Sequence, residues 1–251
     1  MVISMIFGSD KLLNRIIFCK RIMFCLWRGC QGVNCRINRY RNEQEPFMPD
    51  DDILEKPFPG RRSALKRNIL ENALACFNEL GVEATTIDTI KVRCGASVGA
   101  IYHHFGNKEG ILSALFFCAQ DNQRAKLTSA LETAKTLKEA VHLIVKSYVD
   151  WVTSYPEWAR FLFQARSAVA KGPHQQQLRE RNIENYRELR ELLFRLDSGA
   201  NEIIQCQELL PSLIIGPAEN FCRAWLSGRI QTSPLEYREQ FAESAWRSIH
   251  R

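Results

Sequence analysis

Two short helical patterns stand almost end to end in this chain, from Thr86 to Cys94 and from Ser97 to Phe105, with Gly95 and Ala96 between them. So close a spacing leaves room only for a sharp turn, and Gly95 supplies it, because glycine takes a positive φ without steric cost. Thr85 and Thr86 offer hydroxyl N-caps to the first pattern. Its inner face is Ile87, Ile90 and Cys94, and Asp88 sits in the first turn, where the helix dipole favours an acid. Ser97 is the expected N-cap of the second pattern.

Two short helices joined by a tight glycine turn form the helix-turn-helix plan, in which the second helix lies in the major groove of DNA. Gly99 occupies the first turn of that second helix. Relative to alanine it costs about 1 kcal/mol of helix propensity. Close approach of another backbone, that of DNA or of a neighbouring helix, would account for it. Ile101 and Phe105, four residues apart, are expected to anchor the helix, which leaves Val98, Ala100, Tyr102 and His103 to face outward. The plainer reading of His104, beside Phe105, is a histidine at the edge of the core.

The remainder reads as helix after helix, with no convincing strand. Leu65, Ile69, Ala73, Phe77 and Leu80 recur at three- and four-residue steps, and Gly81 closes that helix. Thr136 and Glu139 form a capping-box pattern for a helix reaching Tyr155, where Pro156 stops it or starts the next. Gly172-Pro173 breaks the chain before a charged helix from Gln175 to about Leu196. After a turn at Asp197 two more apolar helices follow, one ending at Gly228 and one starting near Pro234. The expected fold class is all-α, with eight or nine helices.

The formal charge of +6 hints at a polyanionic partner, but its distribution weakens the hint. Residues 1–47 hold eight Lys/Arg against three Asp/Glu, which leaves 26 against 25 for everything after. Three of the four methionines and four of the nine cysteines also lie in that stretch. We read residues 1–47 as an extension outside the fold, such as a translated leader, and residues 48–60 as a polar arm. Lys20 and Arg21 divide its apolar run into pieces too short for a secretory h-region of roughly 7–15 residues. No run of about 18 uncharged apolar residues exists to cross a membrane. Cys19, Cys25, Cys30 and Cys35 lack zinc-site spacing, and Cys76, Cys94, Cys118, Cys206 and Cys222 are scattered singly, as buried thiols are in a reducing cytoplasm. No metal and no cofactor is expected.

The stretch GVEATTIDTIKVRCGASVGAIYHHFGNKEGIL, Gly81 to Leu112, resembles the TetR/AcrR family of bacterial transcriptional regulators. It carries that family's Thr-Thr, Gly-x-Ser-x-Gly and Tyr-x-His-Phe landmarks in register, followed by Lys-Glu-x-Ile at Lys108, within a match from about Arg62 to Leu115. The resemblance implies a DNA-binding head over residues 61–112 and a helical body over 113–251 that dimerises and binds a small molecule. It further implies a double-stranded, inverted-repeat operator as partner. By the same resemblance Thr86, Ser97, Tyr102, His103 and Lys108 are expected to contact phosphates, while Val98, Gly99, Ala100, Arg61 and Arg62 are expected to read bases. Lys91 departs from the pattern, standing where the family has a small alanine.

In the body, Leu213, Pro217, Phe221, Ala224 and Trp225 are expected at the dimer seam, an internal core helix being the plainer reading. Tyr148, Trp151, Tyr155, Trp158, Phe161 and Gln164 form an aromatic cluster that reads equally as core and as the lining of a ligand pocket. No catalytic motif appears: there is no phosphate loop, no H-E-x-x-H and no recognisable nucleophile. The expectation is a cytoplasmic homodimeric repressor, not an enzyme, released by an unidentified small molecule. Its rivals are a DNA-binding protein without an effector and, further off, an all-α enzyme.

Overall fold

The computed structural model describes residues 52–196 and 209–249. The expected N-terminal extension, the turn at Asp197 and Cys206 lie outside the described residues.

Ten α-helices make up the described chain: α1 (Ala64–Leu80), α2 (Ile87–Cys94), α3 (Val98–Phe105), α4 (Lys108–Leu131), α5 (Leu137–Ser154), α6 (Pro156–Lys171), α7 (Gln175–Leu196), α8 (Leu210–Ile214), α9 (Gly216–Leu226) and α10 (Arg238–Ile249). Short 3-10 turns at Arg61–Ser63 and Pro234–Tyr237 lead into α1 and α10. No strand occurs among the described residues. The tenth helix arises because the segment from Leu209 to Gly228, read as one helix in the sequence, breaks at Ile215. Pro217 sits in the first turn of α9 and has no N–H with which to continue α8.

The head is α1 to α3. Ile69, Leu70, Ala73, Leu74, Cys76 and Phe77 form the buried stripe of α1, whereas Leu65 and Leu80 are 41% and 51% exposed. The helix outruns the small core it packs on at both ends. Ile90 and Ile101 are its wholly buried counterparts on α2 and α3. Part of the expected polar arm is less free than its composition suggests: Ile53 and Leu54 are buried, and Arg67 pairs with Glu55 at 2.8 Å and donates to the carbonyls of Phe58 and Gly60.

In the body, α5 packs against α10 and α4, and α4 also packs against α6. Thr136 Oγ1 accepts from the Glu139 N–H at 3.2 Å, while the Glu139 carboxylate reaches one residue further back, to the Lys135 N–H at 2.7 Å. Head and body meet where α1 lies on α6. The rings of Phe77 and Phe161, both fully buried, stand 5.7 Å apart, and Asn78 Nδ2 donates to the Glu157 carbonyl at 3.0 Å.

Candidate nucleic-acid interface

The turn between α2 and α3 has the expected construction. Gly95 lies at φ +69° and ψ 5°, and its N–H closes α2 on the Lys91 carbonyl at 3.0 Å. Asn68 of α1 donates to the Cys94 carbonyl at 2.9 Å and so ties that end of α2 to the head. Ser97 Oγ caps α3 by accepting from the Ala100 N–H at 3.1 Å. The two threonines divide the labour in a way the sequence did not separate. Thr86 is the true cap, exchanging side-chain and backbone bonds with Thr89 at 3.0 and 3.2 Å. Thr85 is fully buried and donates to the Gly81 carbonyl at 2.7 Å, at the C-terminal end of α1. Each cap contributes about 1 kcal/mol to a helix of only eight residues.

Capping uses a lone pair and leaves the hydroxyl proton for another acceptor, so Thr86 and Ser97, both exposed, each keep a donor. The first N–H groups of α3 have no partner within the helix and add to the positive end of its dipole. Ile101 is wholly buried and Phe105 packs on the core, which turns the opposite face to solvent. On that face Gly99 and His103 are exposed, Tyr102 is half exposed, and Val98 and Ala100 are half buried. Arg61 and Arg62 are exposed on the 3-10 turn before α1, and Lys91 is exposed on α2, so its length does not disturb the helix packing. A Cβ built at Gly99 would meet nothing within 4 Å. No neighbouring helix in this chain therefore needs a glycine there.

His104, beside this surface, is half buried. Desolvation, then the charges of His103 and Lys66, lower the pKa of its imidazole.

Lys108 is placed less freely than the other expected contacts. Its ammonium donates to the carbonyls of Val82 at 3.1 Å and Glu83 at 3.3 Å, tying the start of α4 to the loop after α1. One of its three protons remains for a phosphate. Lys108→Ala is therefore expected to cost about 1–3 kcal/mol of stability by orphaning two carbonyls. It is also expected to lower the salt slope of DNA binding by about one unit. Parallel chemical denaturation and salt titrations separate the two effects, and an unchanged slope would confine Lys108 to the fold.

The model of the tetR family of bacterial regulatory proteins matches residues 69–115, the segment that builds this turn and its two flanking helices. Over these residues the chain is similar to the TetR family. An HTH-type transcriptional repressor of Mycobacterium tuberculosis, Rv1474c, is 31% identical over 100 residues, covering 40% of this chain and 52% of the relative. The chain thus matches about half the length of that curated relative. Among solved structures, a TetR-family transcription regulator from Marinobacter aquaeolei superposes with a TM-score of 0.61 at 18% identity, covering 75% of this chain and 97% of the other. FadR from Bacillus subtilis, in complex with stearoyl-CoA, gives a TM-score of 0.52 at 17% identity, covering 74% and 100%. At these identities the superpositions establish the all-α fold of the TetR family.

The body residues singled out in the sequence are distributed unevenly. Tyr148, Trp151 and Phe161 are buried to 2% exposure or less, Tyr155 is buried, Trp158 is half buried, and Gln164 is exposed. Trp151 Nε1 donates to Asn122 Oδ1 at 2.8 Å, and Phe161 faces Phe77 of the head. On α8, Leu213 is half buried; on α9, Ala224 is buried within the chain, Phe221 and Trp225 are half buried, and Pro217 is exposed. The Phe221 ring stands 5.4 Å from both Tyr237 and Phe241, and Leu235 and Tyr237 are 49% and 41% exposed. An apolar face thus extends from α9 onto the turn before α10.

Sequence reading missed a cavity between the second half of α4 and α7, lined by Gln123, Leu127, Leu131, Leu189 and Leu192 among others. A signal was present. Gln123 stands four residues after Ala119 and four before Leu127, on the apolar stripe of α4, where a carboxamide is out of place. No group of three His, Cys, Asp or Glu side chains able to hold a metal occurs among the described residues, and no described helix is long and apolar enough to cross a membrane.

Proposed function

We propose that this protein is a homodimeric transcriptional repressor that binds an inverted-repeat operator and is released from it by a small molecule. The observation that carries the DNA-binding part is the outer face of α3, where an open Gly99, a half-exposed Tyr102 and the capped N-terminus form one surface. Thr86, Ser97, Tyr102 and His103 position the helix on phosphates in this reading. Val98, Gly99 and Ala100 lie against base edges and Arg61 and Arg62 reach the neighbouring groove, so direct readout is confined to thymine methyls, shape and the arginines.

The apolar face around Phe221 and Tyr237 supports dimerisation, since an exposed aromatic patch of this kind is what an isologous seam buries. A dimer places its two recognition helices about 34–36 Å apart or at a multiple of that, which requires an operator with two-fold symmetry. The stearoyl-CoA in the Bacillus subtilis FadR structure supports an effector for a body of this fold.

Mobility shifts and footprints on the DNA upstream of the protein's own gene test the reading. A two-fold symmetric footprint that a metabolite extract releases is expected. A footprint without two-fold symmetry would overturn the dimeric assignment, and one that no extract disturbs would leave a DNA-binding protein without an effector.

A further inference from the structure

The cavity between α4 and α7 has a volume of about 290 Å³ and is walled by Leu127, Leu131, Leu189 and Leu192. Gln123 also lines it. That side chain is only 4% exposed, and neither its Oε1 nor its Nε2 has a hydrogen-bond partner. Asn185 lines the same space, and its Oδ1 is likewise buried and without a partner. A carboxamide with both of its functions idle in an apolar wall is costly to the fold, and buried polar groups ordinarily find partners. Its presence is explained when a ligand completes the bonds.

We propose that this cavity binds an uncharged, largely apolar small molecule that carries one hydroxyl or carbonyl group, and that Gln123 is the hydrogen-bonding residue for that group. Three features select this class. The leucine walls match an apolar body. The carboxamide both donates and accepts, which suits an alcohol or a neutral carbonyl. At the mouth, Arg124 and Arg195 are balanced by Glu132 and Glu188, and Arg124 is ion-paired to Glu188, so an ionised headgroup gains no net attraction. The volume lies at the low end of small-molecule pockets, roughly 300–1,000 Å³, and is too small for a helix of a partner protein. The site is distinct from the aromatic cluster of α5 and α6. It deepens the effector reading and rests on that reading only for its consequence at DNA, because occupancy can be measured with no DNA present.

The test uses the full chain and the fluorescence of the neutral probe phenylnaphthylamine, displaced by n-decanol, n-decane or decanoate. One saturable probe site per chain is expected, with decanol displacing it at roughly tenfold lower concentration than either control, the ratio that one hydrogen bond supplies. Gln123→Leu should bring decanol down to the level of decane while leaving the melting temperature equal or higher, because it removes an unpartnered polar group. Leu192→Trp should fill the cavity and abolish probe binding. Absence of a saturable site, or a Gln123→Leu protein that keeps its preference for decanol, would overturn the proposal even if the tryptophan variant failed to fold. Operator binding with and without saturating decanol is then read separately. Decanol bound with operator affinity unchanged would leave the cavity standing and remove its role as the effector site.

Discussion

Replacing Gly99 with leucine is expected to leave the protein as stable as before, or slightly more so, while lowering operator affinity about a hundredfold. Both halves follow from one geometry. A Cβ at this position meets nothing within 4 Å, and Gly99 is not among the glycines with positive φ, so the fold makes no demand for glycine. Leucine recovers about 1 kcal/mol of helix propensity. On the DNA side, a side chain wedged where backbone meets base edge costs about 2–3 kcal/mol, which corresponds to roughly a hundredfold in affinity. Thermal melting and operator titration on the same preparation decide it. Unchanged operator affinity would remove α3 from the groove. Gly95→Leu provides the contrast, because its φ of +69° makes any side chain strained and the fold should suffer first.

The second large effect is expected at Phe161. Truncation to alanine should cost about 3–5 kcal/mol, as for other wholly buried phenylalanines, and lower the melting temperature by roughly 10 °C in a chain of this size. The damage should reach the head, because the ring that loses its neighbour is Phe77 of α1. Operator affinity should therefore fall together with stability. Trp158→Ala, at a half-buried position, is expected to be much milder. A Phe161→Ala protein with native melting behaviour and an altered response to effector would instead make this residue part of a ligand pocket.

The parts of this molecule that were legible in the sequence are those that local chemistry decides. Gly95, Ser97, Thr136 and Pro156 act within four residues of themselves, and the helix ends they set lie where their residue types put them. What was not legible depends on residues distant in the chain. Nothing local distinguishes Thr85 from Thr86, and the difference is that one of them sits over the end of α1. Lys108 reads as a free cation until the loop 25 residues earlier presents its carbonyls. Ile53 and Leu54 read as part of a polar arm because they are two apolar residues among charges, and only the head they cover makes them core. The cavity is the extreme case. Its walls come from two helices whose lining residues are more than fifty positions apart, so only Gln123, polar on an apolar stripe, marked it in advance.

The joint between α1 and α6 bears on how such a protein changes over generations. Phe77 and Phe161 have no solvent on either side, and Asn78 fastens to the backbone of Glu157 beside them, so neither half of the joint can drift without the other. The leucines of the cavity answer to no such pair in the head. Exchanging Leu127 or Leu189 for another apolar residue is therefore expected to reshape the cavity while leaving the joint between α1 and α6 untouched. Recombination that transplants the head onto a foreign body would have to bring α6 along, or rebuild its contact at the first compensating mutation.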